Sequence, residues 1–252
     1  MAIFAKFLTQ YLSKFNNSFC IFVILNEKFS KMKVHSFIFN TFGECCSVVS
    51  DETGNAAVID PGFATTAEQR ELYDYISTEG LKPGCVILTH AHFDHIYGLK
   101  KITEDFDLPV YMTAEDKEMF KNNERLCPLF DMPVPEAVDE TRLEFVKDGG
   151  HIKTGELDFE VLATPGHTPG GMCLLEKNGR TLFSGDTLFA GSIGRTDSPW
   201  GDYDALMKSI FEKLMVLDGD IRVIPGHGPE TTIADERTKN PFLEPFNEPV
   251  SE

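Results

Sequence analysis

What the sequence has little of narrows it first. Its 252 residues hold 23 Lys and Arg against 40 Asp and Glu, a formal net charge of −17. So few cations offer no surface to a phosphate backbone, and nucleic acid is set aside as a partner. A small anionic substrate stays open, because a bound metal ion can dominate the local field. No stretch approaches 18 consecutive apolar residues, so neither a membrane-spanning helix nor a membrane partner is expected. The cysteines (Cys20, Cys45, Cys46, Cys85, Cys127, Cys173) form no C-x-x-C pair and keep no regular spacing. They read as buried thiols of a reducing, cytoplasmic protein rather than as a disulfide framework. Hydrophobic residues at 42% and charged residues at 25% exclude a disordered or collagen-like chain.

Residues 1–31 differ from the rest. Lys6, Lys14, Lys28 and Lys31 face one acid, Glu27, so the segment carries +3 and the remainder −20. The apolar run Phe19 to Leu25 has the look of a signal-peptide core, but Asn26-Glu27-Lys28 stands where small residues would mark cleavage. The segment reads as a poorly ordered extension outside the native fold, or as upstream of a true start at Met32. Residues 32–252 read as one domain.

From residue 32, strands alternate with helices. Strands are expected at Lys33–Asn40, Ser47–Ser50, Ala56–Asp60, Cys85–Thr89 and Pro109–Thr113. Helices are expected at Thr66–Gly80, capped by Thr65 or Thr66 with Glu68 or Gln69 three residues on, and at Ile96–Phe106 and Ala114–Arg125. Residues 126–140, with three prolines and no clear period, read as a loop. A second half restarts with strands at Arg142–Val146, Asp158–Leu162, Met172–Glu176, Thr181–Ser184 and Ile221–Ile224, and helices at Asp204–Leu217 and Thr232–Thr238. Leu206, Met207, Ile210, Phe211, Leu214 and Met215 keep the spacing of a core-facing stripe. Two such halves can pack sheet against sheet with helices outside.

Of seven histidines, His90, His92, His95, His167 and His227 lie where predicted strands end in short loops, several of them rich in Gly and Pro: CVILTHAHFDH, FEVLATPGHTPGG and RVIPGHGPET. A fourth segment, RTLFSGDTLF, ends its strand on Asp186. His90-Ala-His92-Phe-Asp94-His95 puts four metal-ligand residues within six positions. His90, His92 and Asp94 can point one way in extended chain while His95 points elsewhere, so two ions suit the segment better than one. Imidazole and carboxylate suit zinc, iron or manganese. The expected set is His90, His92 and His167 on one ion, Asp94, His95 and His227 on the other, and Asp186 between them. Two close cations lower the pKa of a shared water and supply hydroxide near neutral pH. Asp60, in VIDPGF, either orients a ligand histidine or caps a turn. His35 and His151 read as ordinary surface or core residues.

These motifs resemble those of the metallo-β-lactamase superfamily, from about residue 33 to about 243. The resemblance implies an α/β (α+β) fold, a four-layer αββα sandwich, with a two-metal site at one edge of the sheets. In GDTLFAGSIGRTD and PGHGPETTIADERTKNPF the chain is most similar to glyoxalase II-like hydrolases, that is, hydroxyacylglutathione hydrolases. That likeness implies two zinc ions, hydrolysis of a small thioester such as S-lactoylglutathione, and Asp94 orienting the attacking hydroxide and moving its proton. It also places Arg195 where the family sets a basic substrate-binding residue; pairing with Asp197 or Asp202 is the alternative. The chain departs from the family in reading Gly228-Pro229-Glu230 where a tyrosine follows the last histidine, and in stopping where a helical C-terminal domain would begin. A rival resemblance, to persulfide dioxygenases with one iron ion, rests on TPGHTPG and GRTD, but those enzymes read Pro-Ala-His-Asp-Tyr where this chain has Pro-Gly-His-Gly-Pro. A non-catalytic metal-binding protein is the reading of another class. Phe63, Phe93, Tyr97, Phe189, Trp200 and Tyr203 either line a pocket or belong to the core.

Overall fold

The computed structural model describes residues 32–244; the readings placed on residues 1–31, Cys20 among them, lie outside the described residues. Six strands make the first sheet, in the order β1-β2-β3-β4-β5-β6: β1 (Lys33–Phe39), β2 (Glu44–Ser50), β3 (Asn55–Ile59), β4 (Lys82–Ile87), β5 (Val110–Thr113) and β6 (Leu143–Val146). Its first three strands are antiparallel, and β3 to β6 run parallel. The second sheet has the order β14-β13-β10-β9-β8-β7, from β7 (His151–Thr154), β8 (Leu157–Ala163), β9 (Met172–Glu176), β10 (Thr181–Gly185), β13 (Arg222–Pro225) and β14 (Thr231–Thr232). A small hairpin, β11 (Leu188–Phe189) with β12 (Ser192–Ile193), stands apart.

Side-chain alternation along the strands builds three stacked cores. In β3 and β4, Ala57, Ile59, Cys85 and Ile87 face the other sheet, where Phe159, Val161, Met172, Leu174, Phe183 and Ile224 meet them. The intervening residues Ala56, Val58 and Val86 turn the other way, onto Leu72 and Ile76 of α1 (Thr66–Thr78), Leu99 and Ile102 of α3 (Leu99–Phe106), and Met119 of α4 (Met119–Leu126). On the far side, Cys173, Leu175, Leu182 and Val223 pack against Leu206 of α5 (Tyr203–Ser209), its continuation through Ile210 and Leu214, and Ile233 of α6 (Ile233–Lys239). Strands buried on both faces read as continuous apolar runs, which is why the period-2 signal in the sequence is faint there. The result is the helix–sheet–sheet–helix layering that the two halves suggested.

Helix α1 starts as its sequence dictates: Thr65 accepts from the Glu68 amide (3.2 Å) and the Glu68 carboxylate from the Thr65 amide (2.9 Å). The stripe on Asp204–Leu217 packs inward as expected, but the helix widens into a π turn over Ile210–Leu214. Ile96–Phe106 divides into α2 (Phe93–Ile96) and α3 around Gly98, whose bare Cα lies against the Phe63 ring. Ala114–Arg125 divides likewise: a 3-10 turn at Ala114–Asp116 precedes α4, because Asp116 turns inward to accept backbone hydrogen bonds from other loops. Strand β7 and the β11–β12 hairpin have no counterpart in the sequence reading; both are short and gain their partners from β8 and from each other. Cys45, Cys46, Cys85, Cys127 and Cys173 are free and buried.

Candidate metal centre

Strands β4, β8, β10 and β13 all release their chain at one edge of the sandwich, and each exit carries part of the site. β4 leads to His90, His92, Asp94 and His95, β8 to His167, β10 to Asp186 and β13 to His227. Gly226 is needed beside the last of these, because a Cβ there would collide with Asp186 Oδ1 and come within 2.8 Å of His95 Cε1. The second sheet's exit is tied to the first by the Cys45 amide, which donates to the Gly226 carbonyl (2.8 Å).

Four of the five histidines are oriented from behind. His90 Nδ1 lies 3.1 Å from Thr89 Oγ1, His95 Nδ1 3.1 Å from Asp60 Oδ2, His167 Nδ1 2.8 Å from the Arg195 carbonyl, and His227 Nδ1 3.1 Å from the Phe42 carbonyl. A carbonyl or carboxylate only accepts, and the Thr89 hydroxyl already gives its proton to Asp60, so Nδ1 carries a proton in all four and Nε2 is the ring nitrogen left facing the interior of the site. Asp60 takes three such bonds, from the Thr89 amide (2.7 Å), Thr89 Oγ1 (2.5 Å) and His95, from a left-handed backbone conformation (φ 49°). Of the two roles the sequence left open, its side chain fills the orienting one.

The inward atoms converge. His92 Nδ1 and His167 Nε2 lie 2.8 Å apart, and His95 Nε2 and His227 Nε2 3.2 Å apart. Asp94 Oδ2 is 3.3 Å from His227 Nε2. Asp186 reaches both groups: its Oδ2 is 3.4 Å from His167 Nε2 and 3.7 Å from His227 Nε2, and its Oδ1 is 3.5 Å from His95 Nε2. The donor atoms of His90, His92 and His167 fall within 4.8 Å of one another, as do those of Asp94, His95 and His227. Asp60 forms a similar group with His90 and His95, but its oxygens are already spent on Thr89 and His95 Nδ1. All seven residues expected from the sequence are thus brought together, while His35 stacks on Tyr75 (4.2 Å between ring centroids) and His151 bonds Asp158 at the surface.

The arrangement fits cations on chemical grounds. His90 Nε2 and Asp186 Oδ1 are buried with no hydrogen-bond partner, and His95 and His227, whose Nδ1 protons go to Asp60 and the Phe42 carbonyl, bring Nε2 to within 3.2 Å of Nε2, which needs a positive charge between them. Burial and the neighbouring imidazoles hold His90 well below the usual histidine range, and burial with His167 does the same for His92, leaving both as neutral donors. Burial works against protonation of His95 too, but Asp94, Asp186 and Asp60 outweigh it and push that histidine up to about 10. The carboxylate field therefore calls for positive charge here.

Two acids escaped the sequence reading. Asp116 accepts from the Ala91 amide (3.0 Å), Thr168 Oγ1 (2.9 Å) and the Gly170 amide (2.6 Å), and so joins the His90–His92 loop to the His167 loop. Glu44 is fully buried with neither carboxyl oxygen hydrogen-bonded. Burial, then Asp60, Asp94 and Asp186, push its carboxyl well above the ordinary range. Neither stands in a recognisable motif: Asp116 reads as a surface charge on a helix, and Glu44 precedes the run expected to form β2.

A cavity of about 570 Å³ opens above the site, with His92, Asp94, His167, Asp186 and His227 on its floor. Phe93 and Phe189 line it; so do Phe42, Leu126, Leu129, Phe130 and Ile193, which the sequence did not single out. Phe63 belongs to the core, Trp200 packs against it, Tyr97 bonds the Pro133 carbonyl, and Tyr203 is exposed. Arg195 lines the cavity and is held by Asp197 through two hydrogen bonds (2.7 and 3.0 Å).

Two packed mixed sheets with flanking helices and a histidine–aspartate centre at their edge define a metallo-hydrolase architecture. Residues 41–227 match the family model of the metallo-β-lactamase superfamily, and the chain belongs to that superfamily. It is 37% identical over 213 residues to a hydroxyacylglutathione hydrolase, GloC, of Haemophilus influenzae, spanning 84% of this chain and 98% of that protein. Among solved structures it is similar to BLEG-1, a B3 metallo-β-lactamase (TM-score 0.77, 32% identity, 84% of this chain and 100% of that one). It is also similar to TTHA1623 in a di-iron-bound form (TM-score 0.73, 34% identity, 83% of this chain and 100% of that one).

Proposed function

We propose that the protein hydrolyses a small-molecule thioester at a two-metal centre. The observation that carries this reading is the pair of donor groups, His90/His92/His167 and Asp94/His95/His227, with Asp186 in reach of both, beneath a cavity large enough for a small organic substrate. Zinc, iron or manganese suits these donors, and two such ions supply an ionised water and a Lewis acid for the thioester carbonyl. The chain's own residues do the rest. Asp94 lines the cavity; burial would raise its carboxyl, but His95 and His227 hold it well below the usual carboxylate range, so it stays ionised. It accepts a hydrogen bond from the attacking water, orients it toward the carbonyl carbon and passes its proton on. The leaving thiolate has a pKa of roughly 8.5 and needs little help from a general acid. Asp60, Thr89 and the carbonyls of Arg195 and Phe42 keep the imidazoles aimed while this happens. The free, buried cysteines accord with a reducing cytoplasm, and among the described residues no helix is long and apolar enough to cross a membrane.

The test is metal analysis of purified protein alongside an S-lactoylglutathione assay and a panel of other thioesters. Two ions per chain with turnover of a thioester is the expected result. One iron per chain with oxygen uptake on glutathione persulfide would replace this reading by the dioxygenase. Tight metal binding with no hydrolysis of thioesters, lactones or phosphodiesters would replace it by a non-catalytic metal protein.

A further inference from the structure

The cavity wall carries its own chemistry. Phe42, Phe93 and Phe130 form a closed aromatic triangle: ring centroids are 5.2 Å apart for Phe42–Phe93, 5.9 Å for Phe42–Phe130 and 5.7 Å for Phe93–Phe130. The three come from separate places, the β1–β2 turn, the start of α2 and the segment after α4, so the wall is a tertiary construction. At its rim Leu129 is 78% exposed and Phe130 42%. Scattered apolar side chains on a surface need no explanation, but these two continue an apolar wall directly above a reactive centre.

The polar part of the cavity points the same way. Arg195 is the one cation among the described residues that line it, and its guanidinium is committed to Asp197. The other charged side chains on the lining are the carboxylates of Asp94, Asp186 and Asp197, apart from the histidines. A glutathione half would bring two more carboxylates and find, among the described residues of the lining, no uncommitted lysine or arginine to meet them.

We infer that the substrate is a thioester with an apolar, aromatic acyl group, which lies on the Phe42–Phe93–Phe130 wall, and with a thiol half that carries no carboxylate. This rests on the thioester reading of the same site and narrows it. The water oxygen bonds to the carbonyl carbon as the carbon–sulfur bond breaks, and the electron pair leaves with sulfur. One water proton ends on the thiol and the other in solvent, giving an apolar carboxylate and a neutral thiol. Burying the acyl group against the rings covers Leu129 and Phe130, the large apolar side chains left in water at the rim.

Four probes separate the two halves: phenylacetyl and lactoyl thioesters, each of N-acetylcysteamine and of glutathione, assayed with metal-loaded protein. The expected order puts phenylacetyl-N-acetylcysteamine first, with kcat/KM at least about tenfold above that of S-lactoylglutathione, most of the difference following the acyl group. Phe130→Ala narrows the phenylacetyl-to-lactoyl ratio several-fold and Phe130→Leu restores most of it; the partly exposed side chain makes both variants safe for folding. Equal or better turnover of S-lactoylglutathione overturns the inference and leaves thioester hydrolysis standing. Failure of all four probes with two ions bound overturns thioester hydrolysis itself, and the inference with it.

Discussion

His92 Nδ1 lies 2.8 Å from His167 Nε2 although 75 residues separate them. His92 is the one site histidine that turns Nδ1 inward, while His167 is fixed by donating its own Nδ1 proton to the Arg195 carbonyl. His167 Nε2 therefore faces inward as a lone pair, and at this separation the two nitrogens can share one positive charge, a proton or a metal ion. His92→Ala and Asp94→Ala are expected to lower kcat at least about a hundredfold on any thioester the protein turns over. Retained turnover in preparations whose metal content has been measured would remove this centre from the chemistry. Chelation is expected to lower the melting temperature of the parent protein, and added zinc to restore it, because ions bound only to the folded state stabilise it by mass action. Calorimetry with and without chelator reads this directly.

Asp116 holds together the loops that carry His92 and His167. Removing it leaves the amides of Ala91 and Gly170 without their acceptor and frees the two loops to drift apart. Asp116→Ala is expected to weaken metal binding about ten- to a hundredfold, measured by competition with a chromogenic chelator. Affinity unchanged from the parent would show the loops to be held by other contacts.

Two buried carboxyls respond to pH with opposite sign. Burial would raise Asp51, but hydrogen bonds from the Asn55 side chain, the Glu156 amide, and the Thr53 side chain and amide outweigh it and hold it well below the usual range. A depressed folded value means the folded chain binds fewer protons, so this stabilisation is full above the unfolded pKa of about 3.9 and fades as pH falls below it. Asp51→Ala is expected to cost about 2 kcal/mol near neutral pH, with the gap closing in acid. Glu44 is shifted upward instead. Its folded form holds a proton that the unfolded chain releases, so the parent loses stability as pH rises from about 4.3 toward the folded value. Glu44→Gln escapes that loss, and denaturant unfolding across pH should show its advantage over the parent growing with pH; an advantage shrinking over that range would contradict the assignment.

Asp197 holds Arg195 at the cavity mouth through an exposed bidentate pair. Asp197→Asn frees the guanidinium and removes a negative charge. KM for S-lactoylglutathione is expected to fall about two- to fivefold, as befits an exposed ion pair, with little change for a thioester that carries no carboxylate. An equal change in both would mean that the pair only braces the loop.

The sequence by itself determined which histidines and aspartates gather at the site, because they sit at strand ends in short loops that leave few conformations: His90 through His95 after β4, His167 within Pro165-Gly166 and Pro169-Gly170, His227 within Pro225-Gly226 and Gly228-Pro229. It also determined a capping box at Thr65 or Thr66, which Thr65 and Glu68 form, and the stripe from Leu206 to Met215, since both depend on neighbours within a turn or two. Tertiary structure decided what depends on distant partners. Asp116 breaks the helix expected at Ala114–Arg125 because its donors lie 25 and 54 residues away. Asp60 was open between two roles until Thr89 and His95 came within its reach. The aromatic wall of Phe42, Phe93 and Phe130 has no sequence signature, because three rings from three segments become a surface only after the sheets have packed.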